Sequence, residues 1–343
     1  MAAPELETTA EAIVADGKGI LAADETPGTL TNRLTALAIE STPDIRRAYR
    51  GMLFSTPGVA EYISGVILQD ETIRQKTSKG TPLADLLTEQ GIIPGIKVDR
   101  GAKPLTGFPG EHITEGLDGL RGRLEEYRAM GARFAKWRAV IKGSETLPSA
   151  ACVQANAHAL ARYAAICQEQ GIVPIVEPEV LMDGAHTIER CEEVTGGVLH
   201  AVFDALFDHN VLLEGMLLKP NMVISGRRCA VQASVNEVAL ATVRCLRRHA
   251  PAAVPGIVFL SGGQNHLVAT MHLSAINQVE GPKPWKLTYS YGRALQDEAL
   301  KAWRGRQESV AAARQAFYHR AKCNSAAALG RYTTAMETES VVA

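Results

Sequence analysis

At 343 residues the chain exceeds a usual single domain, yet an α/β barrel commonly uses about 250 residues or more as one unit, so one large domain is permitted. Its hydrophobic fraction of 46% and charged fraction of 21% sit near globular averages and exclude wholesale disorder. Lysine and arginine total 36 against 37 acids; the balance of −1 excludes a general attraction to nucleic acid or anionic membrane and makes any anion affinity local.

The opening MAAPELETTAEAIVADGKG carries acids where an export signal needs a basic end and an apolar stretch, and no apolar run approaches the roughly 20 residues that span a bilayer. The six cysteines show no CxxC spacing, which favours reduced thiols and predicts a cytoplasmic protein without membrane or nucleic-acid partners.

Eight short apolar runs then follow in order, each ending in charged or glycine-rich sequence. GILAADE starts at Gly19, GVILQDE at Gly65, IPGIKVD at Ile93 and FAKWRAVI at Phe134. IVPIVEPEV starts at Ile172, GMLLKPNMV at Gly215, GIVFLSGG at Gly256 and LTYSYGRAL at Leu287. The starts are roughly 28 to 46 residues apart, the step of a strand followed by a returning helix, and the count predicts a (β/α)8 TIM barrel. Between the runs, the alanine-rich segment from Ser149 reads as a helix stopped at Gly171. The segment from His186 reads as a helix with a break at Gly196 and Gly197. A single barrel domain is expected over 1–343, with a mobile tail from about 331 to 343.

Charges inside strands buried on both faces are costly unless they line a polar site at the open end. Side chains at i and i+2 share a strand face, so Lys97 with Asp99, Lys136 with Arg138, and Glu177 with Glu179 form three same-face pairs late in their strands. Asp24, Lys219 and Arg293 add to them. Together they predict a charged catalytic mouth at the C-terminal end of the barrel; the alternative is that some pairs face the helix layer as buried ion pairs.

A lysine amine becomes nucleophilic on losing its proton, which low dielectric and nearby cations promote. Lys219, flanked by apolar residues in MLLKPNMV, fits best; Lys136 competes but has Trp137 and Arg138 beside it and is assigned to electrostatic support. Glu177 and Glu179 are expected to split their pKa values, leaving one able to hold a proton near neutrality. Asp24 could act as a separate base or as a helix cap within ADETPG. Ser261, Gly262 and Gly263 in SGGQ, with Gly292 and Arg293 in SYGRAL, form a candidate phosphate site after the seventh and eighth strands. A second anion site could draw on Thr29, Arg33, Lys97 and Arg138. No histidine lies at a strand end, so no metal and no cofactor are expected.

The fragments LAADET, GIKVDRG, FAKWR, IVPIVEPE, LLKPNM, FLSGGQ and SYGRAL stand in the order and spacing of class I fructose-bisphosphate aldolase, which the chain resembles along nearly its whole length. The resemblance implies reversible cleavage of fructose 1,6-bisphosphate to dihydroxyacetone phosphate and glyceraldehyde 3-phosphate. It makes Lys219 the Schiff-base lysine, Glu177 the acid/base of carbinolamine chemistry, and Asp24 the base at the C4 hydroxyl, with Lys136 and Glu179 assisting. It places Ser261, Gly262 and Arg293 at the C1 phosphate and Arg33, Lys97 and Arg138 toward the C6 phosphate, with Thr29 where the family has a serine. It also implies a homotetramer. One departure stands out: many members end in a tyrosine, whereas this sequence ends VVA, and Tyr332 takes no such role here. The rival expectations are another lysine-dependent sugar-phosphate aldolase, such as one for sedoheptulose bisphosphate, and a non-catalytic barrel scaffold.

Overall fold

The computed structural model describes residues 3–338. Eight parallel strands close into a barrel: β1 (Gly19–Ala22), β2 (Ile63–Leu68), β3 (Ile93–Lys97), β4 (Phe134–Lys142), β5 (Val173–Leu181), β6 (Leu217–Leu218), β7 (Gly256–Phe259) and β8 (Lys286–Tyr291). Each pairs with its neighbours in chain order, and β8 closes onto β1 through Ile20 against Ser290 and Leu21 against Tyr291. All eight predicted runs are strands of this one sheet, as expected of a (β/α)8 barrel.

The period-2 alternation of a strand sorts side chains between two cores. Outward-facing Leu21, Val66, Ile96, Trp137, Val176, Leu218, Ile257 and Phe259 join the large layer between strands and helices. Inward-facing Ile20, Ile67, Phe134, Val173, Ile175, Leu217 and Val258 form a separate apolar floor. Helix Ala3–Ile13 contributes Leu6, Ala10 and Ile13 to that floor from the N-terminal ends of the strands. Continuing upward on the same inward faces, Phe134 leads to Lys136 and Arg138, Ile175 to Glu177 and Glu179, and Leu217 to Lys219. The charged mouth is therefore the next layer above a dry floor, set by residue spacing alone.

Floor packing has little slack. A Cβ on Gly95 would lie 2.2 Å from the Phe134 ring, so β3 must be bare where β4 contributes its largest inward side chain. Gly95→Ala is expected to lower the denaturant midpoint by an amount worth about 1–3 kcal/mol. Gly122→Ala, in helix Leu120–Ala129 with nothing within 4 Å of its Cβ, should be neutral or slightly stabilising. Equal losses in the two variants would refute this account of the floor.

The helix predicted from Ser149 spans Ala150–Glu169, and the Ser149 hydroxyl caps it by accepting from the Cys152 N–H. The predicted break at Gly196 and Gly197 is absent: helix Ile188–Asp208 runs through both. Gly196 instead admits the His249 ring of the neighbouring helix, which a Cβ would meet at 2.6 Å. Within the described part of the expected tail, Tyr332 is anchored: it is buried and donates to Glu337, which pairs with Arg320 of helix Val310–Ala328. Residues 339–343, the rest of the expected tail, lie outside the described residues.

Candidate active site

At the C-terminal ends of the strands lies a cavity of about 320 Å³. Every position singled out above as catalytic or phosphate-binding lines it: Asp24, Lys136, Glu177, Glu179 and Lys219; Ser261, Gly262, Gly263, Gly292 and Arg293; Thr29, Arg33, Lys97 and Arg138. Asp99 lines an adjoining cavity instead, which shares Thr26 and Lys97 with the first.

Four buried or nearly buried charges form a chain across the mouth. Lys219 Nζ lies 3.2 Å from Glu177 Oε1, Glu177 Oε2 lies 3.1 Å from Lys136 Nζ, and Lys136 Nζ lies 2.8 Å from Asp24 Oδ2. Glu177 thus bridges the two lysines, one carboxylate oxygen to each.

The two lysines are driven in opposite directions. Burial would lower Lys136, but Asp24, Glu177 and Asp99 outweigh it and hold this ammonium well above the ordinary lysine range. For Lys219 burial wins: it and the nearby Lys136 charge lower the amine against the pull of Glu177 and Asp24. One lysine is thus held as a cation and the other is eased toward the free amine.

The two glutamates face different cations: Glu179 accepts from Arg138 Nε, while Glu177 sits between two lysines. Burial would raise the Glu177 carboxyl, yet Lys136, Lys219 and Arg138 hold it below the usual range, so it is ionised at rest. Asp24, opposed by burial but favoured by Lys136 and Lys219, falls to about 2. Nor does Asp24 cap a helix. Thr26 caps Pro27–Thr35 instead, accepting from the Thr29 N–H.

The two predicted phosphate groups of residues flank this row of charges. On one side Ser261–Gln264 forms a tight turn closed by the Gln264 N–H donating to the Ser261 carbonyl at 2.9 Å. Gly262 and Gly263 have φ of 58° and 80°, a left-handed pair that glycine adopts freely. Helix Arg293–Trp303 starts beside it with Gly292 as an N-cap that offers no side chain, leaving its first N–H groups for an anion. His272 is buried and holds Gln264 at 2.7 Å.

On the other side the cations already have partners. Arg33 pairs with Glu25 and with Asp297 at 2.9 Å, Lys97 with Asp99 at 2.6 Å, and Arg138 with Glu179. A phosphate entering here must displace carboxylates, whereas the Ser261 side offers open donors.

Sequence reasoning missed several lining groups. Glu25 adjoins Asp24 and had a visible signal in ADETPG; Ser290, whose buried hydroxyl has no partner, is an inward residue of β8 and was findable by the same i, i+2 rule. Asp183, past the end of β5, had no such signal. Among the described residues one His319–Cys323–Glu337 group has ligand atoms within 4.8 Å of one another, but it lies outside this cavity, and its Glu337 is already paired with Arg320.

A buried amine eased toward neutrality, an ionised carboxylate in contact with it and anion-binding features on both flanks together define a barrel suited to amine attack on the carbonyl of a phosphorylated compound. Comparison with known proteins gives this class its family. The family model described as "Fructose-bisphosphate aldolase class-I" matches residues 5–342, and the chain belongs to that family. The chain is 58% identical over 333 residues to the "Probable fructose-bisphosphate aldolase class 1" of Xanthomonas campestris pv. campestris, covering 97% of this chain and 99% of that protein. It is 54% identical over 328 residues to "Fructose-bisphosphate aldolase 4, cytosolic" of Arabidopsis thaliana, covering 96% and 84%. A solved fructose-bisphosphate aldolase from Plasmodium falciparum, in complex with TRAP and a small-molecule inhibitor, superposes with a TM-score of 0.95 at 49% identity, covering 96% of this chain and 95% of that one.

Proposed function

We infer that the chain reversibly cleaves fructose 1,6-bisphosphate to dihydroxyacetone phosphate and glyceraldehyde 3-phosphate through a Schiff base on Lys219. The observation that carries this is the buried row Lys219–Glu177–Lys136–Asp24, two lysines around one carboxylate, within the mouth of a barrel of this family. The Lys219 amine attacks the C2 ketone, and loss of water from the carbinolamine gives an iminium. Glu177, with one oxygen 3.2 Å from Lys219 and the other 3.1 Å from Lys136, accepts the amine proton and returns it to the departing hydroxyl. The C3–C4 bond then breaks: its electron pair moves into the iminium as an enamine, while Asp24 takes the C4 hydroxyl proton and the aldehyde product leaves. Protonation at C3 and hydrolysis by water release the second product and restore the amine. Lys136, a fixed cation touching both Asp24 and Glu177, keeps both ionised, and Glu179 holds Arg138 at the rim.

The two anion-binding flanks match a substrate with phosphates at both ends and convert remote binding into positioning of C2 and C4. The C1 phosphate goes to Ser261, Gly262, Gly263, Gly292 and Arg293, and the C6 phosphate to Thr29, Arg33, Lys97 and Arg138. A monophosphate enzyme would leave the second set without purpose. The same reading takes the chain as one barrel domain, as a homotetramer, and as cytoplasmic; the Arabidopsis relative's name, cytosolic, speaks for the last.

Incubation with fructose 1,6-bisphosphate followed by borohydride reduction should leave one covalent adduct, mapped by mass spectrometry to Lys219. Turnover should survive a chelator. An adduct on Lys136, or activity lost to chelator and restored by zinc, would overturn the scheme.

A further inference from the structure

One arginine outside the sequence-predicted set reaches the Ser261–Gln264 turn. Arg227 Nη2 donates to the Gly263 carbonyl at 2.6 Å. Its own backbone is stapled to the loop beyond β5: the Gly226 N–H donates to His186, the Arg227 N–H to Met182 and the Arg228 N–H to Gly184, all within 2.9 Å. Arg227 therefore ties the turn after β7 to the loop after β5, across the short β6 that leads to Lys219.

A second observation gives this tether a charge. A Cβ on Gly263 would meet Arg227 Nη2 at 2.3 Å and Arg293 Nη2 at 2.5 Å, so two guanidinium groups crowd one point beside the turn. Like charges are not brought together in this way without compensation, and the nearby acid is weak compensation. Asp183 lies 3.5 Å from Arg227 Nη1, and both side chains are largely exposed. Among the described residues Arg293 has no carboxylate partner. The Gly262 and Gly263 N–H groups, likewise without acceptors there, lie at the same turn.

We propose that Arg227 is a positioning residue of the phosphate grip beside Lys219: it locks the turn that presents the Gly262 and Gly263 N–H groups, and with Arg293 it supplies the second positive charge for a dianionic phosphate. The assignment rests on the reading above in taking that phosphate to be the C1 group. Asp183 acts against it, as an anion that the phosphate must displace from Arg227.

The test compares fructose 1,6-bisphosphate with fructose 1-phosphate, which lacks the far phosphate, and uses inorganic phosphate as a competitive inhibitor. In Arg227→Ala the KM for both sugars and the inhibition constant of phosphate should rise about 10-fold, as for one lost charge-assisted hydrogen bond, with kcat within about two-fold of the parent. Arg227→Lys keeps the charge without the fork and should fall between. Asp183→Asn should move phosphate binding the other way, tightening it. Unchanged constants in Arg227→Ala, a rise for the bisphosphate alone, or weaker phosphate binding in Asp183→Asn would each overturn the assignment. Phosphate binding by calorimetry to the unreacted protein keeps the two readings apart: a missing borohydride adduct defeats the Schiff base, while an unaltered phosphate affinity in Arg227→Ala defeats the grip.

Discussion

Lys219→Met is expected to lose about 10⁵-fold or more in kcat and all of the borohydride adduct, while being no less stable than the parent. The kinetic part follows from chemistry that no neighbour can replace. Lys136 is the other amine on Glu177, and three carboxylates hold it protonated, so it offers no lone pair. The stability part follows from burial. Lys219 is 3% exposed and its amine is displaced downward mainly because a charge there is poorly solvated; a methionine of similar length removes that cost and leaves Glu177 paired with Lys136. Steady-state assays with denaturant unfolding read both. A variant retaining a hundredth of parental turnover would refute the assignment of the amine.

Lys136→Met should be the more damaging to folding and the more revealing in pH. It leaves Asp24 without its 2.8 Å partner and strips one of two cations from Glu177, and breaking a buried pair in this way costs about 3–5 kcal/mol. Losing the cation also shifts titrations. Lys136 lowers Lys219, and the carboxylates it neutralises raise Lys219, so its removal acts on the amine twice in the same direction, upward. A nucleophile with a raised pKa is neutral only at higher pH, so the acid limb of kcat/KM should move to higher pH and part of the lost activity should return on alkalinisation. Lys136→Arg, which keeps the charge, should leave the limb in place. A loss in Lys136→Met that is the same at every pH would contradict the electrostatic role and point to a direct part in proton transfer. Asp24, held at about 2 by this cation, stabilises the fold above the unfolded carboxylate range and loses that contribution as pH falls through about 2.

How far the sequence revealed this arrangement follows from the range of each rule. The strands were legible because apolar runs with charged ends are local patterns, and the mouth was legible because i, i+2 spacing is also local: Ile175, Glu177 and Glu179 had to share a face wherever the strand lay. Partnerships between strands were not. Nothing in LAADET says that Asp24 will meet Lys136 rather than cap the helix that Thr26 caps, and nothing in the glutamate pair says that Arg138 will take one and two lysines the other. Glycine was misread for the same reason. Gly196 looked like a helix breaker, but its purpose is set by His249 on another helix. Arg227 escaped because it follows a strand only two residues long, where the i, i+2 rule has no length to act on.

The floor beneath the amine reaches back to a helix ahead of the first strand. Its lowest layer is completed by Leu6, Ala10 and Ile13, residues from a helix that precedes the first strand and contributes nothing to the chemistry. A polypeptide started at Asp16 would keep each acid, base and phosphate ligand yet leave the well unplugged at its base. Solvent reaching the floor from below would solvate the ammonium form of Lys219 better and offset the burial that lowers its pKa, so the truncated chain is expected to trap less borohydride adduct at neutral pH.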